Sequence, residues 1–477
     1  MSAPAPSTRL PPGFHLDLDR SVRTFGGGTV LAGGHPGRIL TLSAEGPKAV
    51  AALGGGGPLT EAQRQLGRRL VDAGMAHPVP PTGVPLDLAE VTVVIPVRDR
   101  PEWLDGCLAS VDPGIPVVVV DDGSRDPAPV AEICRRHHAR LVVRPVNGGP
   151  AAARNDGLGR VDSELVAFLD SDCVAGPGWL APLVAMFDDP GVGAVAPRVR
   201  PLGPSRSVRA RYDRDRSPLD MGAEPSGVGP DRRVRYVPTA ALVVRRRALT
   251  MGFDPGLRFG EDVDLVWSLV DAGWEVRYLP SVEVGHHPPS SWSGLLRRRF
   301  RYGTSGGPLA RRHPGRLAPV ELRPWPAVGA LALLAGRPRT STLVTAVNGL
   351  NLARRVRATG IPPGLALQWA AEGTGWTVFG LGRAATVVFG PGLAIAALRG
   401  GSRIRRAAVT LALVPPLVEW WQRRPALDPF RWSLASIADD CAYGLGVWAG
   451  SLRARTLGPL LPSLKWSSPD PEESKGP

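Results

Sequence analysis

The sequence predicts a multidomain α/β protein built on a mostly parallel sheet. Three observations carry that prediction. The length, 477 residues, exceeds what one hydrophobic core ordinarily organises and fits two or three domains. Residues 91–290 alternate continuous β-branched runs with helix-like stretches, the pattern of βαβ units. Aspartates gather just past the ends of the β-like runs, where open α/β sheets bind ligands.

The elements follow in order. The amino-terminal MSAPAPSTRLPPG has no apolar segment of the kind a secretory signal carries. Residues 13–80 read as a small α+β or winged-helix module. FHLDLD (14–19) and RILTLS (38–43) are short strands, and Gly26–Gly28 and Gly33–Gly34 are turns. LTEAQRQLGRRLVDAG (59–74) is an amphipathic helix with Leu66, Leu70 and Val71 on its apolar face and a glycine stop. PTGVPLDLAE (81–90) links this module to the second region, 91–290. There VTVVIPV (91–97), PVVVVDDGS (116–124), ARLVVRP (139–145), ELVAFLDSD (164–172) and VGAVAPRV (192–199) read as strands buried on both faces. PEWLDGCLASV (101–111), PAPVAEICRRHH (127–138) and GEDVDLVWSLVDAGWEV (260–276) read as helices.

Residues 291–465 form a basic, apolar, helical region. It opens on an arginine cluster without acids, LLRRRFRYGTSGGPLARRHPGR (295–316). Apolar stretches follow at 327–336, 376–400 and 407–421. The middle one is long enough to cross a bilayer if Arg383 snorkels or faces protein, while its glycines and Pro391 equally suit buried or interfacial helices. The expectation is association with the cytoplasmic face of the membrane, with or without a span. The tail SSPDPEESKGP (467–477) has the composition of a disordered segment.

Hydrophobic content of 43% and charged content of 21% describe a globular chain. The net charge of +14 is carried almost wholly by arginine, with lysine only at 48, 465 and 475. Such a balance suits phosphorylated ligands or an anionic membrane surface. No aromatic-basic motif of a nucleic-acid reader accompanies it, so no nucleic-acid partner is expected. The four cysteines have neither zinc-ribbon nor thioredoxin spacing, and a reducing cytosol is the expected compartment.

The chemistry-bearing residues lie at the predicted strand ends. Asp121 and Asp122 in DDGS read either as ligand contacts or as a turn capping the helix near Pro127. Asp170 and Asp172 flank Ser171 directly after an apolar strand; hard oxygen donors at that spacing suit Mg²⁺ or Mn²⁺, which take phosphate oxygens as further ligands. In NGGPAAARNDG (147–157) the glycines permit a tight loop, and Arg154 either turns inward towards a nucleotide or faces solvent. Asp262 in GEDVDL is either a general base or a carboxylate favoured by the helix dipole. In VGHH, His286 or His287 offers a third metal ligand.

Taken together and in order, VVIPVRDR, VVVVDDGSRD, NGGPAAARNDG, FLDSD, GEDVDL and VGHH resemble an inverting glycosyltransferase of family 2 with the GT-A fold, over about 200 residues from Val91 to His287. The resemblance implies that Pro96, Val97, Arg98 and Asp121 hold the nucleotide base and ribose, and that Arg154 faces the nucleotide. It places Asp170 near the ribose, with Asp170 and Asp172 on the metal, and makes Asp262 the catalytic aspartate. His286, 24 positions after Asp262, becomes the metal-binding histidine, with His287 as the alternative. Residues 13–80, in particular GFHLDLDRSVRTFGGGTVLAGGHPGRILTLSAEG and LVDAGMAHP, resemble a PqqD-type peptide-recognition module, which captures an extended peptide by strand addition. The combination is similar to the mycofactocin-system glycosyltransferases of actinobacteria. That implies a UDP-glucose donor, a peptide-derived small-molecule acceptor, β-1,4 linkage, and a peptide or pathway protein at the N-terminal module. Two other readings fit parts of the pattern: a family 2 enzyme making cell-envelope glycan or glycolipid at the membrane, and a non-catalytic docking protein.

Overall fold

The computed structural model describes residues 7–81, 90–204 and 206–466. The linker expected over 81–90, apart from its two ends, and the tail expected to be disordered lie outside the described residues.

The N-terminal unit contains β1 (His15–Leu18), β2 (Arg23–Phe25), β3 (Val30–Gly33), β4 (Arg38–Thr41), α1 (Gly46–Gly54), α2 (Glu61–Asp72) and β5 (Ala76–Val79). β1 pairs antiparallel with β5, and β2–β3–β4 form a separate antiparallel sheet. α2 starts on a capping box: Thr60 Oγ1 accepts from the Gln63 amide and the Gln63 side chain accepts from the Thr60 amide. It stops before Gly74, whose φ of 69° is readily available only to glycine. Leu10, Leu16, Leu31, Leu53, Leu70 and Met75 close the core of this unit. Arg68, buried on α2, pairs with Asp189 and Glu275 of the next region, and Arg233 pairs with Asp19.

The second region carries β6 (Val91–Val97), α3 (Pro101–Ala109), β7 (Val117–Asp121), α4 (Ala128–Arg136), β8 (Arg140–Val143), α5 (Pro150–Leu158), β9 (Leu165–Leu169), β10 (Cys173–Ala175), α6 (Leu180–Val184), β11 (Val192–Pro201), α7 (Val208–Asp215), β12 (Ser226–Gly227), β13 (Ala241–Arg245), α8 (Glu261–Asp271) and β14 (Glu275–His286). The strand order is β10-β14-β11-β13-β9-β6-β7-β8, with β12 added to β14. β8, β7, β6 and β9 run parallel, as do β11 and β14. β13 lies antiparallel between β9 and β11. The apolar runs are continuous because both faces are covered. Val91, Val93, Ile95 and Val97 of β6 face one layer with Leu104, and Val94 faces the other with Ala151 and Ala153. Gly157 lets α5 lie close on β6: a Cβ there would meet Val94 Cγ1 at 2.4 Å.

The helix expected over 260–276 is shorter. α8 ends at Asp271, Gly273 adopts φ 89°, and Glu275 already begins β14. Of the apolar residues of WEV, Trp274 lies between helix and strand and Val276 in the strand, a junction the helical period masked.

The third region comprises α9 (Trp292–Thr304), α10 (Gly306–Arg312), β15 (Glu321–Leu322), α11 (Pro324–Leu334), α12 (Pro338–Arg355), α13 (Pro363–Arg399), α14 (Ser402–Arg423), α15 (Pro429–Ala454) and β16 (Ser463–Leu464). Among the described residues no single helix is long and apolar enough to cross a membrane; Pro363–Gly390 and Gly392–Arg399 meet that test only together, bent by 94°. The bend falls at Pro391, which has no amide hydrogen to give the helix. Arg383 faces protein, 3.2 Å from Glu419 and 3.5 Å from Asp440.

α9 and α10 meet α15 through glycines. A Cβ on Gly303 or Gly307 would stand 2.1 or 2.2 Å from the carbonyl oxygens of Tyr443 and Gly450. A Cβ on Gly446 or Gly450 would stand 2.0 or 2.2 Å from those of Phe300 and Thr304. Both sets have the small-xxx-small spacing that permits close helix approach. Beside them lies a buried ionic cluster. Arg216, after α7, reaches Asp439 and Asp440 at 2.9 Å and Glu419 at 3.2 Å, and Arg299 of α9 reaches Asp439 at 2.5 Å. Gly446→Ala is expected to lower stability by ~1–3 kcal/mol through overpacking. Gly375→Ala, mid-helix with nothing within 4 Å of the new Cβ, is expected to be neutral or stabilising; urea unfolding of the two variants checks the contrast.

Candidate active site at the strand ends

β6 is flanked by β7 on one side and β9 on the other, so the strand order reverses there. Ligands of open α/β sheets bind beyond the carboxyl ends of the strands at such a point. At the end of β6, Pro96 and Val97 lead into Arg98, whose exposed guanidinium stands 3.6 Å from the Asp99 carboxylate. The Asp99 amide donates to Ser124 Oγ at 2.9 Å, and the Arg125 amide donates to Asp99 Oδ1 at 2.8 Å, tying β6 to the DDGS loop.

Asp121, fully buried at the end of β7, accepts from the Ser124 amide at 2.9 Å through Oδ1, while its Oδ2 has no partner among the described residues. A buried, unpaired carboxylate oxygen is costly, and here it lies at the end of the parallel strands. Asp122 has a different task, which the sequence reading missed. It accepts from the amides of Gly148 and Gly149 at 2.9 and 2.8 Å and pairs with Arg144, fastening the loop ahead of α5. Neither aspartate caps the helix near Pro127; Asp126 accepts from the Ala128 amide there, at 3.1 Å.

That loop delivers Arg154. Its guanidinium is buried and forks between two acids: Nη2 donates to Asp170 Oδ1 at 2.6 Å and Nη1 to Glu261 Oε1 at 3.0 Å. Burial works against this cation, but the two carboxylates more than compensate and raise its pKa. Arg154 therefore turns inward, as one reading expected, and its partners in the structure are the acidic groups of β9 and α8. Asp170 is pushed above the usual carboxylate range by burial and by the Asp172 charge, against the pull of Arg154.

Asp172 and the histidine pair are brought together by β10. Cys173 pairs in register with His286, and His286 Nε2 stands 3.3 Å from Asp172 Oδ2. Burial disfavours the Asp172 charge, but the imidazole overrides it and lowers the carboxyl pKa. The His287 amide donates to the Asp172 carbonyl at 2.9 Å, but its ring turns away and stacks on Trp103, with centroids 5.3 Å apart and planes 5° off parallel. Strand alternation thus puts the side chain of His286, and not that of His287, beside the Asp172 carboxylate.

Asp262 occupies the first turn of α8, beside Glu261. Burial, then the Glu261 charge, push its carboxyl up to about 7, a value suited to a general base near neutrality. Arg298 of α9 was not singled out individually from the sequence. Its charge reaches Asp172, its Nη2 lies 3.2 Å from Asp213, and its buried Nε has no partner among the described residues. The structure thus brings Arg154, Asp170, Asp172, His286 and Asp262 into one neighbourhood, with Pro96, Val97, Arg98 and Asp121 on the adjoining strand ends. A cavity of about 480 Å³ lies at the opposite ends of the strands, lined by Thr92, Val117, Arg140 and Ser163, away from these groups.

No group of three or more His, Cys, Asp or Glu side chains poised to hold a metal ion occurs among the described residues. The donors that fit best are Asp172 and His286, a hard oxygen and an imidazole nitrogen. Asp170 has an oxygen committed to Arg154. Two protein donors suit a metal that draws its remaining ligands from a phosphorylated substrate and water.

Comparison with known proteins follows this geometry. Residues 92–247 match the family Glycosyl transferase family 2. The chain is 37% identical, over 96% of its length and 99% of the relative, to the pre-mycofactocin glycosyltransferase of two strains of Mycobacterium tuberculosis. It is 30% identical, over 45% of its length and 71% of the relative, to the glycosyltransferase AglE of Haloferax volcanii. Among solved structures, the mannosyltransferase PcManGT from Pyrobaculum calidifontis, in complex with GDP-Man and Mn²⁺, superposes with a TM-score of 0.37 at 20% identity, covering 69% of this chain and 90% of that one.

Because Arg154 serves two acids at once, Arg154→Met is expected to cost about 3–5 kcal/mol, the range for breaking a buried ion pair from one side. Arg154→Lys would restore only part of this, since one ammonium lacks the fork. Chemical denaturation of the two variants checks the order.

Proposed function

Because the chain belongs to the pre-mycofactocin glycosyltransferases, within glycosyl transferase family 2, we propose that it transfers glucose from UDP-glucose to pre-mycofactocin with inversion, building a β-1,4-linked oligoglucose chain. Near-complete coverage of the relative carries the choice of acceptor. The observation that carries the chemistry is the convergence of Asp262 with the Asp172–His286 pair at the strand ends, joined through the Arg154 bridge.

In this reading Asp121, with its free Oδ2, and the segment Pro96 to Arg98 receive the nucleoside. Asp172 and His286, with Asp170 behind them, would hold Mg²⁺ or Mn²⁺, which supplies positive charge against the diphosphate. Arg298 adds a second cation on that side. Asp262 takes the proton of the acceptor hydroxyl as its oxygen bonds to the anomeric carbon and the bond from that carbon to the diphosphate breaks. Attack opposite the leaving group inverts the centre. Arg154 keeps Glu261 and Asp170 compensated, so that the base and the metal-binding aspartate can occupy one low-dielectric site.

The N-terminal unit, by its resemblance to PqqD-type modules, would receive a peptide or a pathway protein. The membrane surface is assigned to the turn between α13 and α14. Ile395, Leu398 and Ile404 are 60, 81 and 58% exposed there, and Arg399, Arg403, Arg405 and Arg406 surround them, also exposed. Apolar side chains ringed by arginines suit an anionic lipid interface.

Two outcomes are expected. With Mn²⁺, UDP-glucose and pre-mycofactocin, mass spectrometry should detect a hexose ladder that EDTA abolishes. Asp262→Asn should lower kcat by about 10²–10⁴-fold. The carboxyl must be ionised to accept a proton, so kcat should rise with pH through about 7 and level off above it. Hexose found only on lipid would replace the acceptor, and an undiminished Asp262→Asn would remove the base. Secondly, the protein should co-sediment with phosphatidylglycerol vesicles and not with pure phosphatidylcholine, and Leu398→Asp with Ile404→Asp should release it.

A further inference from the structure

β10 carries the Asp172 turn with little of its own to hold it. It has three residues, Cys173–Ala175, and lies at the sheet edge, paired among the described residues only with β14. A short pairing of this kind is marginal by itself. Asp172 stands directly before it, and His286 pairs in register with its first residue. The position of β10 therefore sets the separation of those two side chains, 3.3 Å at their closest atoms.

α3 supplies the missing support. Trp103 and Cys107 lie one turn apart, and Ser110 caps the helix a turn later, so the three share a face. All three address the turn through backbone or a ring, not through a carboxylate. The buried Cys107 thiol donates to the Asp170 carbonyl at 3.5 Å, and the Cys173 amide donates to the same oxygen at 2.9 Å. Ser110 Oγ accepts from the Ala175 amide at 3.1 Å. Trp103 stacks on the His287 ring, and the Arg100 guanidinium carbon stands 4.0 Å from the Trp103 ring centroid. His287 is tied in turn to the Asp172 carbonyl through its amide. One helix face thus grips the chain at residues 170, 175 and 287, on both strands that present the metal pair.

We propose that Trp103, Cys107 and Ser110, with Arg100 and His287 completing the stack, are positioning residues for the Asp172–His286 pair. This rests on the transferase reading above, in which that pair holds Mg²⁺ or Mn²⁺. Binding groups need placement to within about 0.5 Å, and a site with two firm protein donors has little redundancy to absorb an error. Groups that orient the ligands from outside are worth about 10–100-fold in metal affinity. His287 contributes its ring and its amide, and its imidazole nitrogens are no part of the role. Because α3 follows directly on the segment Pro96 to Arg98, the same helix joins the strand end that would receive the nucleoside to the turn that would receive its diphosphate.

The test titrates Mn²⁺ into the full chain with UDP present, follows bound metal by electron paramagnetic resonance against UDP alone, and measures transfer from UDP-glucose in parallel. Trp103→Ala should raise the Mn²⁺ Kd about tenfold and Ser110→Ala about threefold, with kcat near that of wild type once Mn²⁺ saturates. Trp103→Phe, which keeps a ring, should recover most of the affinity. His287→Ala should weaken Mn²⁺ as Trp103→Ala does, whereas His287→Phe, which can stack but has no nitrogen for a metal, should bind as wild type. Should Trp103→Ala fail to fold, Ser110→Ala and the two His287 variants carry the same test. Leu104→Ala, on the core side of α3, should lower the urea midpoint and leave the Mn²⁺ Kd in place, which separates positioning from general stability. Unchanged Kd in Trp103→Ala, Ser110→Ala and His287→Ala would overturn the proposal, as would a Kd that rises equally in Leu104→Ala. His287→Phe as weak as His287→Ala would make the imidazole a ligand and overturn it too. A wild-type protein that binds no Mn²⁺ with UDP would instead remove the metal from the transferase reading, and the positioning role with it.

Discussion

One buried guanidinium holds the candidate site in register. Arg154 joins Asp170, 16 residues on, to Glu261, 107 residues on. Those two acids stand next to Asp172 and Asp262 in the chain, the residues to which the proposed function gives the metal and the base. Without the cation between them, the end of β9 and the start of α8 would bring several carboxylates into a poorly solvated space, and charge repulsion would drive them apart or force them to take up protons. The small residues before Arg154 and the Asp122 staple on Gly148 and Gly149 serve the same end: they let α5 settle deeply enough on the sheet for the guanidinium to reach both partners.

A second layer of constraint comes from beyond the sheet. Arg216, Arg299 and Arg383 converge on Asp439, Asp440 and Glu419, so charge is balanced across four helices and the end of α7. Buried ion clusters of this kind specify geometry more than they stabilise. Here they set the rotation of α15 against α9, and the glycine contact sets its distance. The arginine cluster after residue 291 thus has mixed duties. Arg299, Arg312 and Arg316 are tied to acids of the fold, while Arg298 pairs with Asp213 and its charge also reaches Asp172.

Five strands, β6, β7, β8, β9 and β11, were legible because β-branched runs flanked by turn residues have few alternatives, and the acidic strand ends followed from where such strands must stop. β13 was not read at all: ALVVR is short, and its antiparallel place between β9 and β11 is set by partners distant in sequence. The α8–β14 junction was misread because Trp274 and Val276 continue the helical period by chance. Asp172, Asp262 and His286 were singled out from motif order, and that the His286 ring rather than that of His287 lies beside Asp172 needed the pairing with β10. Arg154 was visible as a residue but not as a bridge, since its partners lie in two other motifs. The spacing of Gly303 with Gly307 and of Gly446 with Gly450 was a usable signal for the contact of α9 and α10 with α15.

The placement of Asp439 and Asp440 on α15 makes distant stretches of chain depend on each other. Arg216 lies 223 residues before Asp439, and Arg299 lies 140 before it. Until α14 and α15 pack against α9, these two cations lack every carboxylate they meet in the fold. Docking of the two helices and neutralisation of both cations are therefore one event, and a change that loosens the helices leaves charge stranded at the edge of the sheet region.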